Sequence, residues 1–436
     1  MKTRSLRRRS LLCLSVILFS SPTLFAQIRT VYAIRSVGTL GGNFSDARNL
    51  NDKGEVVGVA KTAGGQDHAF VYVDGVMTDL GTLGGDNSIA LSISKDGAIV
   101  GSAEKAGSPN DFATRFSRVA PPFNSEISFA GTVRSAATAV NDRGAGEVAF
   151  NIDFDIFATQ KLRAHRVPGF VPLTPVILPT LGGNDNQAFG INDSGDIVGS
   201  SLLAGDASRK VFRFTGGNML NLGDMGGNNA EARDINNTNQ IVGWSDTAGG
   251  QRAFLYFNGG FVNLGSLGGN SIAHAINDSG EIVGTSKNAA GTDLAFLYKN
   301  GTMTDLNSLL PKKSGWVLHF ANGINENGQI VGYGTFNGSG RGFLLEPDRK
   351  GPVVKPASKR LLTSSPSAVI KGTATDDGGI RFVQFRTGSG SFQKAKGTTK
   401  WSFRVPLEPG RNVIQIRARD EAGNLSRTRR VVVTRS

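Results

Sequence analysis

The sequence predicts an all-β protein: a seven-bladed β-propeller of four-stranded blades, its ring closed by a C-terminal strand, followed by an Ig-like β-sandwich. Glycine accounts for 58 of the 436 residues, and Gly or Asn interrupts nearly every apolar run before it could complete two helical turns. A short motif recurs at intervals in the forties, which indicates an array of supersecondary units. The sequence pattern changes at residue 351, after which predicted short strands alternate with Gly-rich turns.

The repeat is marked by two apolar residues and a glycine that follow an Asn/Asp/Gly turn. Its intervals are 43, 98, 44, 41 and 48 residues, and the interval of 98 contains a degenerate copy at 139–150. Seven copies therefore span residues 28–348. The marker glycines are Gly58, Gly101, Gly199, Gly243, Gly284 and Gly332. Because they recur in nearly every copy, we assign them to the close packing of neighbouring sheets.

Each copy divides into four short runs, as residues 252–286 illustrate. RAFLYF and FVNL are its first two strands, and SIAHAI and EIVG form the third and fourth around a DSG hairpin turn. Four antiparallel strands per repeat are typical of a propeller blade. The first copy opens at 31–42 without its first strand, and an unmatched strand, 341–347, follows the last copy. We therefore expect 341–347 to complete the N-terminal blade and close the ring.

The chain is predicted to comprise a signal peptide at 1–26, a propeller at 27–349 and a sandwich at 350–436. The first segment has a cationic start and an apolar run too short to span a bilayer, so it indicates export; an uncleaved membrane anchor is the alternative. Its Cys13 is the single cysteine of the sequence, so the mature chain would have no disulfides and no thiolate chemistry.

Charge is distributed unevenly. Residues 351–436 carry 17 basic and 5 acidic side chains, whereas residues 27–350 carry 26 basic and 30 acidic ones. The basic segment is suited to polyanions such as acidic glycans or an anionic envelope polymer, and a solvated charged surface is the alternative. Export and the absence of interleaved aromatic residues argue against nucleic acid as a partner.

Residues 68–103, which begin HAFVYVDGVMTDLGTLGG and end ISKDGAIVGSA, resemble the HAF family of extracellular repeat proteins. The His-Ala-Phe triplet starts at His68, and the unit at 305–334 resembles the terminal repeat of that family. The resemblance implies a bacterial protein that is secreted or lies at the cell surface or in the periplasm, and it carries no site residues. The C-terminal segment resembles bacterial Ig-like modules, with Trp401 and Phe403 expected in its core.

Sequence motifs for catalysis or metal binding are not found. The four histidines lie far apart and without metal-ligand spacing: His68, His165, His274 and His319. The sequence has no GxSxG elbow and no phosphate-binding loop. NDSGD at 192–196 lacks the carboxylate ladder and distal Glu of a calcium loop, and we interpret it as a hairpin turn. We predict no catalytic residue, no cofactor and no metal.

A ligand is expected on the face that carries two sets of loops, those between strands two and three and those between strand four and the next blade. Asn amides there both donate and accept hydrogen bonds, which suits polyhydroxyl ligands. The last blade replaces LGGN with LLPKKSGW, which offers an exposed Trp for sugar stacking. The alternative is that Asn and Gly only shape the loops. The candidate ligand-binding residues are Asn43, Asn87, Asn184, Asn228, Asn270, Lys312, Lys313 and Trp316.

The function predicted from these observations is non-catalytic surface binding or adhesion by an exported monomer, with a glycan or anionic envelope polymer as partner. We expect no transmembrane segment once the signal peptide is cleaved. Two alternatives stay open, a secreted propeller hydrolase or lyase and a structural envelope component. An axial cluster of carboxylates or a bound metal would favour the enzyme, and loops lined only by Gly and Asn would favour binding.

Overall fold

The computed structural model describes residues 32–119, 124–127, 132–143, 146–153, 162–168, 176–311, 313–376 and 378–436. The predicted signal peptide lies outside these ranges. Within them the chain is all-β, with one short 3-10 helix at Leu306–Leu309. None of its described helical segments has the length and apolar character needed to cross a bilayer.

After strand β1 (Tyr32–Ser36), six four-stranded antiparallel sheets follow one another along the chain, each with its strands in sequence order. Sheet A comprises β2 (Gly41–Leu50), β3 (Val56–Thr62), β4 (Asp67–Val73) and β5 (Val76–Asp79), and sheet B comprises β6 (Gly84–Ile93), β7 (Ile99–Lys105), β8 (Asp111–Phe116) and β9 (Ser125–Glu126). Sheet C comprises β10 (Arg134–Val140), β11 (Val148–Asp153), β12 (Leu162–Val167) and β13 (Val176–Ile177), and sheet D comprises β14 (Gly182–Ile191), β15 (Ile197–Leu203), β16 (Arg209–Thr215) and β17 (Asn218–Gly223). Sheet E comprises β18 (Ala230–Ile235), β19 (Ile241–Thr247), β20 (Gly250–Phe257) and β21 (Gly260–Asn263), and sheet F comprises β22 (Gly268–Ile276), β23 (Ile282–Asn288), β24 (Asp293–Lys299) and β25 (Thr302–Asp305).

Sheet G joins the two ends of this region. It contains β26 (Trp316–Ile324), β27 (Ile330–Phe336) and β28 (Ser339–Pro347), with β1 as its outer strand. β28 and β1 are antiparallel, with Tyr32 opposite Pro347 and Ser36 opposite Phe343. The predicted pairing of 341–347 with the N-terminal strand is therefore present. The predicted composition of the sheet is wrong, because three of its strands come from the C-terminal end and only one from the N-terminal end.

The sheets are offset by two strands from the repeat unit that the sequence analysis defined. SIAHAI and IVG are the first two strands of sheet F, whereas RAFLYF and FVN are the last two strands of sheet E. A periodic sequence locates strands and turns but does not show where a unit begins, which explains the difference. The LGG segments consequently connect one sheet to the next.

The first strands of the sheets pack in a closed cycle, so the arrangement is propeller-like. β2 contacts β6, the succession continues through β10, β14, β18, β22 and β26, and β26 contacts β2. Apolar side chains fill the space between neighbouring sheets; Val56 and Phe70 of sheet A pack with Val331 and Leu344 of sheet G. The first strands therefore surround a common axis.

The marker glycines are required within their own sheets. A Cβ at Gly58 would lie 2.0 Å from the carbonyl oxygen of Asp46, and one at Gly199 would lie 1.8 Å from that of Gln187. Both carbonyls belong to first strands, which have a register shift beside this point. The marker glycines therefore leave room for the bulged first strand of their own sheet. This role replaces the predicted one, which was to allow neighbouring sheets to approach closely.

Residues 353–435 form two further sheets. Sheet H contains β29 (Val353–Pro356), β31 (Ser367–Thr375) and β34 (Lys400–Pro406); sheet I contains β30 (Arg360–Thr363), β32 (Ile380–Thr387), β33 (Gln393–Lys394), β35 (Gly410–Asp420) and β36 (Arg429–Arg435). A single apolar cluster draws on both sheets. Trp401 and Phe403 belong to it, which confirms their predicted place in the core.

Candidate axial binding site

A ring of buried asparagines links the sheets at the turns between their first and second strands. In sheet A, Asn51 Oδ1 accepts the N–H groups of Lys53 and Glu55 and so caps the hairpin turn, while Nδ2 donates to the carbonyl of Ser94 in sheet B. The same inter-sheet bond recurs around the axis, with donor–acceptor distances of 2.9–3.2 Å, from Asn141, Asn192, Asn236, Asn277 and Asn325. The Asn of the N-D-x-G motif therefore joins adjacent sheets as well as shaping a turn.

The next residue of each turn forms a second ring. The N–H of Asp142, for example, donates to Asp193 Oδ1 at 2.8 Å, and the N–H of Glu326 donates to Asp52 Oδ1 at 3.0 Å across the junction between sheets G and A. The other bonds run from Lys95 to Asp142, Asp193 to Asn237, Asn237 to Asp278 and Asp278 to Glu326. These side chains surround one end of the axis enclosed by the first strands, and we call them the rim.

The rim is predominantly acidic. Its carboxylates are Asp52, Asp142, Asp193, Asp278 and Glu326, and Lys95 is its one cation among the described residues. Burial raises the pKa of Asp142, and the charges of Asp193 and Asp52 raise it further. Burial also raises the pKa of Glu326, with Asp278 and Asp52 as contributing charges. The carboxylates thus interact electrostatically, and together they favour a cationic group at the mouth.

The rim opens into a cavity of about 470 Å³ lined by the first strands. Arg48 and Arg233 line its wall, and each is balanced by an acid on its own strand: Arg48 Nη2 lies 2.9 Å from Asp46 Oδ2, and Arg233 Nε lies 2.7 Å from Glu231 Oε1. Asn322 in the wall also donates to Asp46, at 3.0 Å. The wall therefore combines paired charges with an amide and is suited to hydrogen-bonding ligands.

Two titratable side chains of the wall have strongly shifted pKa values. Burial lowers the pKa of His274 to about 3, assisted by the charges of Arg233 and Arg48, so the imidazole is neutral at physiological pH. Burial raises the pKa of Asp234 to about 7. Asp234 accepts the N–H groups of Ile235 and Ile276, at 2.8 and 3.0 Å, and so ties sheet E to sheet F.

The candidate asparagines of the sequence analysis lie away from this cavity, and none of the five is among its lining residues. Antiparallel pairing puts the LGG loops and the AGGQ loops on one face, as predicted, but the cavity opens among the N-D-x-G turns at the opposite ends of the first strands. Asn87 donates to Glu104 Oε1 at 3.0 Å and Asn184 donates to Asp206 Oδ2 at 2.9 Å, so both have structural partners. Asn43, Asn228 and Asn270 are exposed.

The prediction of an exposed Trp316 is wrong. Its side chain is only 9 % exposed, stacks on Phe336 at a ring-centroid distance of 5.1 Å and meets the edge of Phe343 at 6.2 Å. Trp316 begins β26, whereas the first strands of sheets A, B, D and F begin with glycine, and its indole fills space in the apolar core of sheet G. Of the two lysines that precede β26, Lys313 is exposed and Lys312 lies outside the described residues.

The remaining motifs have structural partners. Asn192 Oδ1 accepts the N–H groups of Ser194 and Asp196, and Asp196 pairs with Arg213, which confirms NDSGD as a hairpin turn. His68 Nδ1 lies 2.8 Å from Asp79, and His319 Nδ1 lies 3.0 Å from the carbonyl of Asp293. The rim carboxylates were missed because a single turn shows one Asp, and only ring closure brings the repeated residues together.

Comparisons with known proteins give no family. No protein-family model matches the chain, and no curated protein matches it. Among solved structures, the crystal structure of TolB from Acinetobacter baumannii is similar at 11 % identity and a TM-score of 0.40, over 71 % of this chain and 65 % of that one. The fibronectin(III)-like modules of Clostridium thermocellum CbhA are similar at 19 % identity and a TM-score of 0.18, over 25 % of this chain and 60 % of theirs. The chain thus spans less than two-thirds of either structure.

Proposed function

We propose that the protein is an exported, non-catalytic binding protein and that the axial cavity is its ligand site. In this proposal residues 32–347 form a closed seven-bladed β-propeller and residues 353–435 an Ig-like β-sandwich. The observation that supports the proposal is the cavity itself. It is polar, and the five carboxylates of its rim come from five different sheets. Export rests on the features of residues 1–26 and would give a mature N-terminus at Gln27, which mass spectrometry of the native protein can check.

The charge and polarity of the site indicate its ligand class. The acidic rim favours a cation, and the paired arginines and Asn322 beneath it favour hydroxyl and amide groups. A glycan that carries free amino groups combines these properties. The proposed ligand is therefore an amino-substituted glycan, which narrows the glycan class expected from the sequence.

Chitosan and chitin oligosaccharides of equal length provide a matched test, since they differ in amino and N-acetyl groups. We expect calorimetric binding of the chitosan oligomer to residues 27–436, weakened by salt and at least tenfold weaker in Glu326→Gln, which keeps an oxygen acceptor for the N–H of Asp278. Asp74→Asn, in an exposed turn elsewhere, is the control. Absence of binding, or equal affinity in Glu326→Gln, would refute the proposal.

A secreted hydrolase or lyase is a second candidate, because the axial carboxylates fulfil the criterion stated from the sequence. Each rim carboxylate accepts a backbone N–H from the neighbouring sheet, however, which accounts for it structurally. Incubation with the same oligosaccharides separates the two functions. Release of new reducing ends or unsaturated products, lost in Glu326→Gln, would establish the enzyme.

The sandwich offers a separate surface for an anionic envelope polymer. On sheet I, Arg417 and Arg386 lie over the ring of Phe392, at 3.7 and 4.6 Å from its centroid. Burial, with the charges of Arg419 and Arg386, lowers the pKa of Arg417. We expect binding of an acidic polysaccharide to weaken steeply between 50 and 500 mM salt and to weaken further in Arg417→Gln, whereas Lys355→Gln on sheet H serves as the charge-matched control. Binding that is independent of salt, or equally reduced in both variants, would exclude this surface.

A further inference from the structure

Three carboxylates lie close together where the chain passes from β28 to the C-terminal sheets. One carboxylate oxygen from each of Asp348, Asp376 and Asp420 lies within 4.8 Å of the other two. Asp348 follows β28, Asp376 follows β31 of sheet H, and Asp420 ends β35 of sheet I. The cluster therefore joins three separate segments of the chain.

Asp420 carries an observation independent of this proximity. Its side chain is fully buried, at 0 % exposure, and Oδ2 has no hydrogen-bond partner among the described residues. Its Oδ1 accepts the N–H of Asn424 at 2.7 Å, which fixes the orientation of the carboxylate. A buried carboxylate oxygen without a partner costs free energy unless a cation or a proton satisfies it, and two further carboxylates beside it favour a cation.

The surrounding backbone holds the cluster in place. Asn424 Nδ2 donates to the carbonyl of Asp348 at 3.0 Å, and the N–H of Glu421 donates to the carbonyl of Gly379 at 3.2 Å. A Cβ at Gly351 would lie 2.3 Å from the carbonyl oxygen of Leu425, so the linker passes directly against the loop after β35. These contacts position the backbone around Asp348 and Asp420.

We propose that Asp348, Asp376 and Asp420 bind a calcium ion that fastens the propeller-like region to the C-terminal sheets. Oxygen ligands suit a hard cation, and the set contains neither the imidazole nor the thiolate that zinc prefers. Extracellular calcium modules bind in the range of about 10⁻⁴–10⁻³ M, which calcium outside cells can occupy. The proposed site departs from the expectation of no metal, and no local sequence pattern indicated it because its ligands come from residues 348, 376 and 420. It is independent of the axial cavity.

The test uses purified residues 27–436 stripped with EDTA. Calorimetry with CaCl₂ should show one site, and CaCl₂ should raise the melting temperature. Asp376→Asn and Asp420→Asn should each weaken calcium affinity at least tenfold and remove the thermal shift. MgCl₂, titrated separately, should bind at least tenfold more weakly because it prefers a smaller octahedral site with retained waters.

Two controls keep the outcome decisive. Asp74→Asn should bind calcium like the native sequence, and Asp278→Asn removes a rim carboxylate and should do the same. If Asp420→Asn fails to fold because the position is buried, the calcium affinity of Asp376→Asn tests the proposal, since Asp376 is only half-buried. No calcium binding at 5 mM, calcium binding unchanged in Asp376→Asn, or binding lost only in Asp278→Asn would overturn the proposal.

Discussion

Replacement of Asn325 by Ala tests whether the asparagine ring stabilises the closed cycle of sheets. Asn325 is 5 % exposed and connects sheet G to sheet A: Nδ2 donates to the carbonyl of Asn51 at 2.9 Å. Nδ2 also donates to Gln329 Oε1 at 2.8 Å, and Oδ1 accepts the N–H of Gln329 at 2.9 Å. Asn325→Ala removes all three hydrogen bonds. Because each contributes about 1 kcal/mol net, the free energy of unfolding should fall by roughly 3 kcal/mol.

Sheet B supplies the matched comparison, since Ser94 occupies the Asn position there. Its Oγ accepts the N–H of Ala98 at 3.0 Å and so caps the turn without an amide to reach the next sheet. Asn325→Ser should therefore keep one of the three hydrogen bonds, and the free energy of unfolding should fall by about 2 kcal/mol. The reciprocal change, Ser94→Asn, should add a bond to the carbonyl of Asn141 and stabilise the chain by about 1 kcal/mol.

Equilibrium urea denaturation followed by tryptophan fluorescence measures these differences. The midpoints should rank Ser94→Asn above the native sequence, followed by Asn325→Ser and then Asn325→Ala, with unchanged slopes. If both Asn325 variants unfold within about 0.5 kcal/mol of the native chain, the inter-sheet amide bond contributes nothing measurable and the reasoning fails.

Three further predictions follow from the same structure. Burial raises the pKa of Asp234 to about 7, so between about pH 4 and pH 7 the native state holds a proton that the unfolded chain has released, and the free energy of unfolding falls as the pH rises. Asp234→Asn should therefore reduce the dependence of the urea midpoint on pH in this range. An unchanged pH dependence would contradict this assignment. Trp316→Ala should destabilise the chain by about 3–5 kcal/mol in the same assay because the indole is buried, whereas a neutral result would show that the packing against Phe336 is unimportant. Deletion of 341–436 removes the part of β28 that pairs with β1 and should lower the melting temperature of the propeller-like region far more than deletion of 351–436. Equal melting temperatures would exclude a stabilising role for this pairing.

The sequence alone determines the local structure, because turn chemistry and strand alternation act over a few residues. The N-D-x-G motif predicts hairpin turns, and Asn192 caps its turn as expected. The resemblance of the C-terminal segment to Ig-like modules implied a core position for Trp401, and the side chain lies in that core. The unmatched strand 341–347 even indicated which strand it would pair with, since the pairing is repeated within the other sheets.

The tertiary structure decides which residues meet, because closure brings together positions that are tens or hundreds of residues apart. A single Asp in a turn is ordinary, but ring closure places Asp52 beside Glu326 and turns one repeated residue into an acidic rim. Packing also decides exposure. The sequence predicted that Trp316 lies in an exposed loop, but it begins β26 and its side chain lies in the apolar core of sheet G. Asp348 and Asp420 likewise meet only because two regions of the chain come into contact, and no local pattern contains that information.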